Sequence, residues 1–324
     1  AGRAIAEECA RSFKHVTLEL GGKSAGILLD DVVLKDFKPF VMSALTPNTG
    51  QTCRALTRIL APRERYDEIT TFIGDTMALI PLGEPSNPSN FYGPLVNVSQ
   101  YERVMGYLKL GIEEGAEVVT GGGRPDGFDK GYYVAPTVFR NVTNDMRIAR
   151  EEIFGPVIVV IPYDTVDDAI AIANDSEYGL TASVWSKDLT RAKRVARALA
   201  VGGVSVNNVM ATEANPALPF GGVKQSGFGR YKGEHGLHAF CNVKSVLIDK
   251  DSKKIEANWY PYTAEKYRRF NALIDALFAT RGVKHGGIEI IAESDSDAPS
   301  TKPKATRRTA KQPRHSHGGN PHSR

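Results

Sequence analysis

Cysteine is scarce in this 324-residue chain: Cys9, Cys53 and Cys241 are the only three. An odd number at wide spacing fits neither a disulfide framework nor a zinc-ligand pattern, so a reducing, cytoplasmic setting is expected. Long apolar runs are missing as well. None approaches the roughly 20 residues that a membrane-spanning helix requires, so no membrane association is expected. His235 and His238 lie three apart without a third ligand, which argues against a metal centre. No Ser-His-Asp arrangement is present either. Charge of one sign is absent from most of the chain. The formal net charge is +4, but residues 281–324 hold nine Lys and Arg against four Asp and Glu, leaving 32 against 33 in residues 1–280. The body is electrically balanced and predicts no nucleic-acid surface. The basic stretch 302–314 has no interleaved aromatic residue to stack on a base.

What is present is a regular alternation of strand-length apolar runs with amphipathic windows. Strands are expected at 15–20, 56–61, 117–120, 132–142, 157–163, 181–186 and 203–207, and helices at 3–13, 36–45, 66–80, 99–114, 166–174 and 189–199. Such an order predicts an α/β fold with a largely parallel sheet. Beyond Gly222 the pattern changes to a Gly-rich stretch, a strand at 244–249 and a helix at 264–279. Residues 298–324 hold seven basic residues, no acid and no large apolar side chain, a composition expected to remain disordered. The length allows two domains, or one with appendages.

Four segments have chemical interest. Val16-Thr-Leu-Glu19-Leu-Gly-Gly22-Lys23 sets a carboxylate near the end of an apolar strand, just before two glycines through which backbone can approach a ligand. A solvated Glu before a turn has the same appearance. Asn48-Thr-Gly-Gln-Thr-Cys53-Arg54 places a cysteine among polar neighbours, with Arg54 expected to favour the thiolate. A small buried hydrophobe is the alternative, and is the expectation for Cys9 and Cys241. Glu151-Glu-Ile-Phe-Gly-Pro156 precedes an apolar strand and by itself reads as a solvated acidic pair. Leu218-Pro-Phe-Gly-Gly-Val-Lys-Gln-Ser-Gly-Phe-Gly-Arg230 matches no phosphate-loop spacing and reads as a structural loop.

In this order, with Cys53 34 residues after Glu19, the four segments resemble the motifs of the aldehyde dehydrogenase superfamily. The resemblance covers about residues 1–250, and the extension at 259–278 is similar to that of class 3-like members. It implies Cys53 as nucleophile, Glu19 as general base, and the Cys53 backbone N–H as part of an oxyanion hole. It implies that Glu152 holds the nicotinamide ribose of NAD or NADP, that Phe154 packs beside it, that Leu20 and Gly21 lie along the nicotinamide, and that Phe220 lines the substrate entrance. The implied substrate is a small-molecule aldehyde, and the implied full-length form is a homo-oligomer.

The implied organisation is a remnant of a Rossmann-like dinucleotide-binding domain at 1–20 and a catalytic domain at 21–225. A segment at 226–250 would return to the cofactor domain and offer a subunit-pairing strand. A helical extension at 251–280 and a disordered basic tail at 281–324 complete it. Pro47 departs from the pattern, because many members carry an aromatic before the motif Asn. Members also continue ahead of Gly2-Arg3 into the half that holds most of the dinucleotide site and an oligomerisation hairpin, so the chain reads as part of a longer enzyme. The alternative is a non-enzymatic truncated fragment.

Overall fold

The computed structural model describes residues 1–209, 214–250, 259–274 and 277. Two compact units divide the chain, Ala1–Ser245 and Val246–Arg324. In the second unit the described elements reduce to one helix, Ala264–Ile274, while 251–258, most of 275–279 and the basic tail lie outside the described residues.

The first unit is built on a seven-stranded sheet in the order β4-β5-β6-β3-β2-β8-β9. Its members are β2 (Ala25–Leu28), β3 (Arg58–Pro62), β4 (Glu117–Thr120), β5 (Thr137–Arg140), β6 (Val157–Tyr163), β8 (Thr181–Trp185) and β9 (Gly203–Val206). All neighbours run parallel except the edge pair β4 and β5. The central strands are buried on both faces, and alternation sorts their side chains. Val157, Val159 and Ile161 of β6 join one core, while Ile158 and Val160 join the other.

Helices α2 (Leu34–Ser43) and α3 (Tyr66–Ala78) cover one face with Phe37, Val41, Ile69, Ile73 and Met77. Helices α4 (Val98–Glu113), α5 (Arg147–Arg150), α6 (Val166–Asn174) and α7 (Leu189–Ala198) cover the other with Val104, Leu108, Ile148, Ala169 and Val195. Asn97, Thr165 and Asp188 cap α4, α6 and α7 with their side chains, which fixes where each helix begins. The α/β expectation with a largely parallel sheet is met.

Four expectations are corrected. The central strand β2 falls in a stretch where no strand is predicted. The strand expected over 15–20 shrinks to β1 (Leu18–Glu19), which lies outside the large sheet and pairs antiparallel with β11 (Gly227–Phe228). The strand expected over 132–142 narrows to β5. Residues 244–249 form neither helix nor strand, and no described segment pairs with them. Val243, Val246, Leu247 and Ile248 are exposed there. The remaining small elements are α1 (Gly2–Arg11), β7 (Tyr178–Gly179), which pairs with β10 (Val223–Lys224), and α8 (Gly233–His238).

Candidate active site

Strands β6, β3 and β2 are adjacent and parallel, and each begins just after one of the sequence motifs. Lys23 closes the first motif two residues before β2, Cys53 precedes β3, and Glu152 precedes β6. The three segments therefore meet at the amino-terminal edge of the sheet. Ligands in open α/β sheets usually collect at the opposite, carboxyl edge.

Contacts at this edge join all four motifs. The Gly22 N–H donates to Glu152 Oε1 at 2.9 Å. A Cβ at Gly22 would run into the Cys53 carbonyl oxygen, so only glycine lets the two segments approach this closely. Gly50, with φ at 73°, lies against the Gly155 carbonyl in the same manner, and this ties the turn before Cys53 to the loop of Glu152. The last motif arrives through β11, and the Gly222 N–H donates to the Glu19 carboxyl. Leu20 is held by its own N–H, which donates to the Ser226 carbonyl at 3.1 Å, and Gly21 lies against the Glu152 carboxyl. Phe154 is partly covered and adopts a left-handed φ of 63°.

The charges here are poorly compensated. Burial raises the Cys53 thiol above its usual pKa, and the Glu19 and Glu152 carboxylates raise it further. Arg54 pulls toward the thiolate as expected, but it is the weakest of these influences and does not offset them. Much of Glu19 meets solvent, yet partial burial raises its carboxyl against the pull of the Gly222 N–H and Arg230. Glu152 is raised by burial too, opposed by the Gly22 N–H, Lys23 and Arg103. Lys23 is 2% exposed, its Nζ has no hydrogen-bond partner among the described residues, and burial brings its ammonium down to about 7. Perturbed groups converging at one edge are a feature that functional sites share with buried ion-pair networks, and they make this edge the candidate site.

The acidic pair in the third motif splits into two roles. Glu151 points outward and accepts from Tyr107 Oη at 2.6 Å and Arg147 Nε at 2.7 Å, with Arg147 first and Tyr107 second in lowering its pKa. Glu152 points inward onto Gly22. Phe220, expected at the substrate entrance, is 3% exposed; its backbone is bridged to Tyr231 and its ring lies edge-on to that side chain. Cys9 is half-buried, and Cys241 is exposed where a buried residue is expected. His235 and His238 lie on α8, and no metal-binding cluster occurs among the described residues. Lys23, Gln100 and Arg103 are the site-edge residues that sequence reasoning does not single out. No helix is long and apolar enough to cross a membrane among the described residues.

Comparison with known proteins identifies the family. Residues 1–246 match the model of the aldehyde dehydrogenase family. A Staphylococcus haemolyticus protein named as an aldehyde dehydrogenase is 44% identical over 246 residues, which are 76% of this chain and 51% of that protein. Among solved structures, the Mycobacterium tuberculosis aldehyde dehydrogenase complexed with NAD+ is 48% identical with a TM-score of 0.74, covering 76% of this chain and 51% of its own. A cysteine-to-alanine mutant of a Pseudomonas syringae aldehyde dehydrogenase, complexed with NAD+ and octanal, is 45% identical with a TM-score of 0.70, covering 74% and 49%. The chain thus spans about half the length of the curated relatives it matches, and with its motifs meeting at one edge of the sheet it belongs to the aldehyde dehydrogenase family.

Proposed function

We propose that this chain is the catalytic portion of an enzyme that oxidises an aldehyde to a carboxylic acid with NAD or NADP, with Cys53 as nucleophile and Glu19 as general base. The observation that supports it most is the joining of the Cys53 turn, Glu19 and Glu152 through the Gly21-Gly22 backbone. The dinucleotide, when bound, accepts the hydride that leaves the former aldehyde carbon.

The residues present suit the nicotinamide end of such a cofactor. Glu152 offers a carboxylate to ribose hydroxyls, the bare Gly21-Gly22 backbone permits close approach, and Phe154 stands on the same loop. Leu20 and Gly21 are assigned to the nicotinamide side.

The sulfur chemistry follows from the charges. Because burial and two carboxylates hold Cys53 as a thiol, its proton needs an acceptor, and the raised carboxyl of Glu19 is matched to that task. The thiolate adds to the aldehyde carbon to give a thiohemiacetal, and the Cys53 N–H stabilises the oxyanion. Loss of hydride leaves a thioester on Sγ. Glu19, having released the thiol proton to the solvent it meets, then takes a proton from water, whose oxygen attacks the acyl carbon; the C–S bond breaks, the Cys53 thiolate leaves and recovers a proton from Glu19, and the carboxylic acid is released. Phe220 is assigned to the substrate entrance, although its side chain is nearly covered in this chain. The full-length enzyme is proposed to be a cytoplasmic homo-oligomer.

In the enzyme that carries this chain, Cys53→Ala should abolish aldehyde oxidation. Glu19→Gln should accumulate an acyl adduct on Cys53, visible by mass spectrometry after a quench. Normal turnover in Cys53→Ala would overturn the assignment.

A further inference from the structure

Helix α4 presents a polar stripe to the loop that carries Glu152 and Phe154. Gln100, Arg103, Val104 and Tyr107 recur at the spacing of one helix face, and all four meet residues 151–155. Gln100 Nε2 donates to the Ile153 carbonyl at 3.1 Å and to the Phe154 carbonyl at 2.8 Å. Arg103 Nη2 donates to the Glu152 carbonyl at 2.6 Å. Val104 packs against Gly155, and Tyr107 donates to Glu151.

Long polar side chains on a helix normally spread into water, where they keep their rotamer freedom. An apolar stripe would cover this loop with less loss of side-chain entropy. What an apolar stripe lacks is a donor. Residues 151–156 belong to no helix or strand, so the carbonyls of 152, 153 and 154 have no ladder to join. Phe154 is also held at φ 63°, a conformation that persists only where its surroundings over-determine it. The same loop reaches the nucleophile, since the Gly155 carbonyl lies against Gly50 in the turn before Cys53. Gln51 Oε1 accepts from the Val96 N–H at 2.9 Å, so the approach to α4 is fastened to that turn as well.

We propose that Gln100 and Arg103 are positioning residues: through three backbone carbonyls they set where the Glu152 carboxylate and the Phe154 ring stand, and through Gly155 they steady the turn that carries Cys53. The functional meaning of that placement rests on the aldehyde-oxidation reading. The placement itself is tested without a dinucleotide, so failure of one leaves the other standing.

The test compares Arg103→Met, Arg103→Lys and Gln100→Leu with the parent chain by two readouts: residue-resolved amide hydrogen exchange and the pH profile of Cys53 alkylation by iodoacetamide. The Gly22 N–H reports on Glu152 directly. In Arg103→Met it should exchange about tenfold faster, with the amides of β3 and β6 unchanged. The alkylation midpoint should fall as the Glu152 charge moves off the thiol, with Glu19 and Arg54 still in place. Arg103→Lys keeps an N–H donor and should hold both readouts near the parent. Gln100→Leu should loosen 153–155 and the turn at 48–53 by a similar factor. Unchanged Gly22 exchange and alkylation in both Arg103→Met and Gln100→Leu would overturn the proposal. So would faster exchange spread evenly over the unit, which would mean that the stripe only contributes to packing.

Discussion

The two edges of the parallel sheet handle their charges in opposite ways. At the carboxyl edge, Asp31 accepts from Ser186 Oγ at 2.8 Å and from the N–H groups of Lys187 and Asp188 at 2.9 and 3.0 Å. Burial works against its charge, yet these donors hold its carboxyl below the usual range. At the amino edge Glu19, Glu152 and Cys53 are all raised, and Lys23 is lowered. A carboxylate with three donors on one oxygen is part of the scaffold, even though its other oxygen, Oδ1, is buried without a partner among the described residues. Groups left at odds with their surroundings are the ones available to exchange protons.

Four substitutions would break or sharpen this contrast. The largest effect is expected for Gly22→Ala, whose methyl would meet the Cys53 carbonyl; denaturant unfolding should show a loss of roughly 3 kcal/mol. Asp31→Ala strands a hydroxyl and two N–H groups and should cost about 2 kcal/mol in the same measurement, while the Cys53 alkylation profile stays in place. A shifted alkylation profile in Asp31→Ala would show that the two edges are coupled.

Lys23→Met probes the amino edge through pH. The folded-state pKa of Lys23 is about 7, below its unfolded value, so above neutrality the unfolded chain binds the extra proton. The contribution of this group to stability should therefore rise with pH above about 7 and level off near pH 10. The variant should lack that contribution. Identical pH profiles for parent and variant would show that Lys23 is not the buried titrating group. The smallest effect is expected for Glu19→Gln. Removing one carboxylate lowers the thiol pKa, so alkylation near neutral pH should accelerate by about threefold, with stability nearly unchanged.

Most strands of the sheet could be read from local pattern, the amino edge only in part, and the Asp31 cluster at the carboxyl edge not at all. Strand β6 declares itself by seven apolar residues before a capped helix. Strand β2 hides because both of its faces are buried. Ala25–Leu28 shows no alternation and follows closely on the Gly21-Gly22-Lys23 segment. Glu151 and Glu152 are indistinguishable as letters, and only the fold sends one to Arg147 and the other to Gly22. Arg54 is next to Cys53 in sequence but acts weakly on it, whereas Glu19 and Glu152 act more strongly from distant segments. Gln100 and Arg103 have the appearance of an ordinary solvated helix face. Their role depends on carbonyls some 50 residues further along the chain.

The amino edge also has an order of assembly. During synthesis Cys53 leaves the ribosome well before Glu152 and Gly155, and Glu19 precedes its Gly222 donor by about 200 residues. Until β6 joins β3 and β11 reaches β1, the thiol has neither its burial nor its two carboxylates. A nascent chain stalled in that interval would present an ordinary, unprotected thiol to cellular oxidants, and its reactivity would come under control only when the last motif arrives.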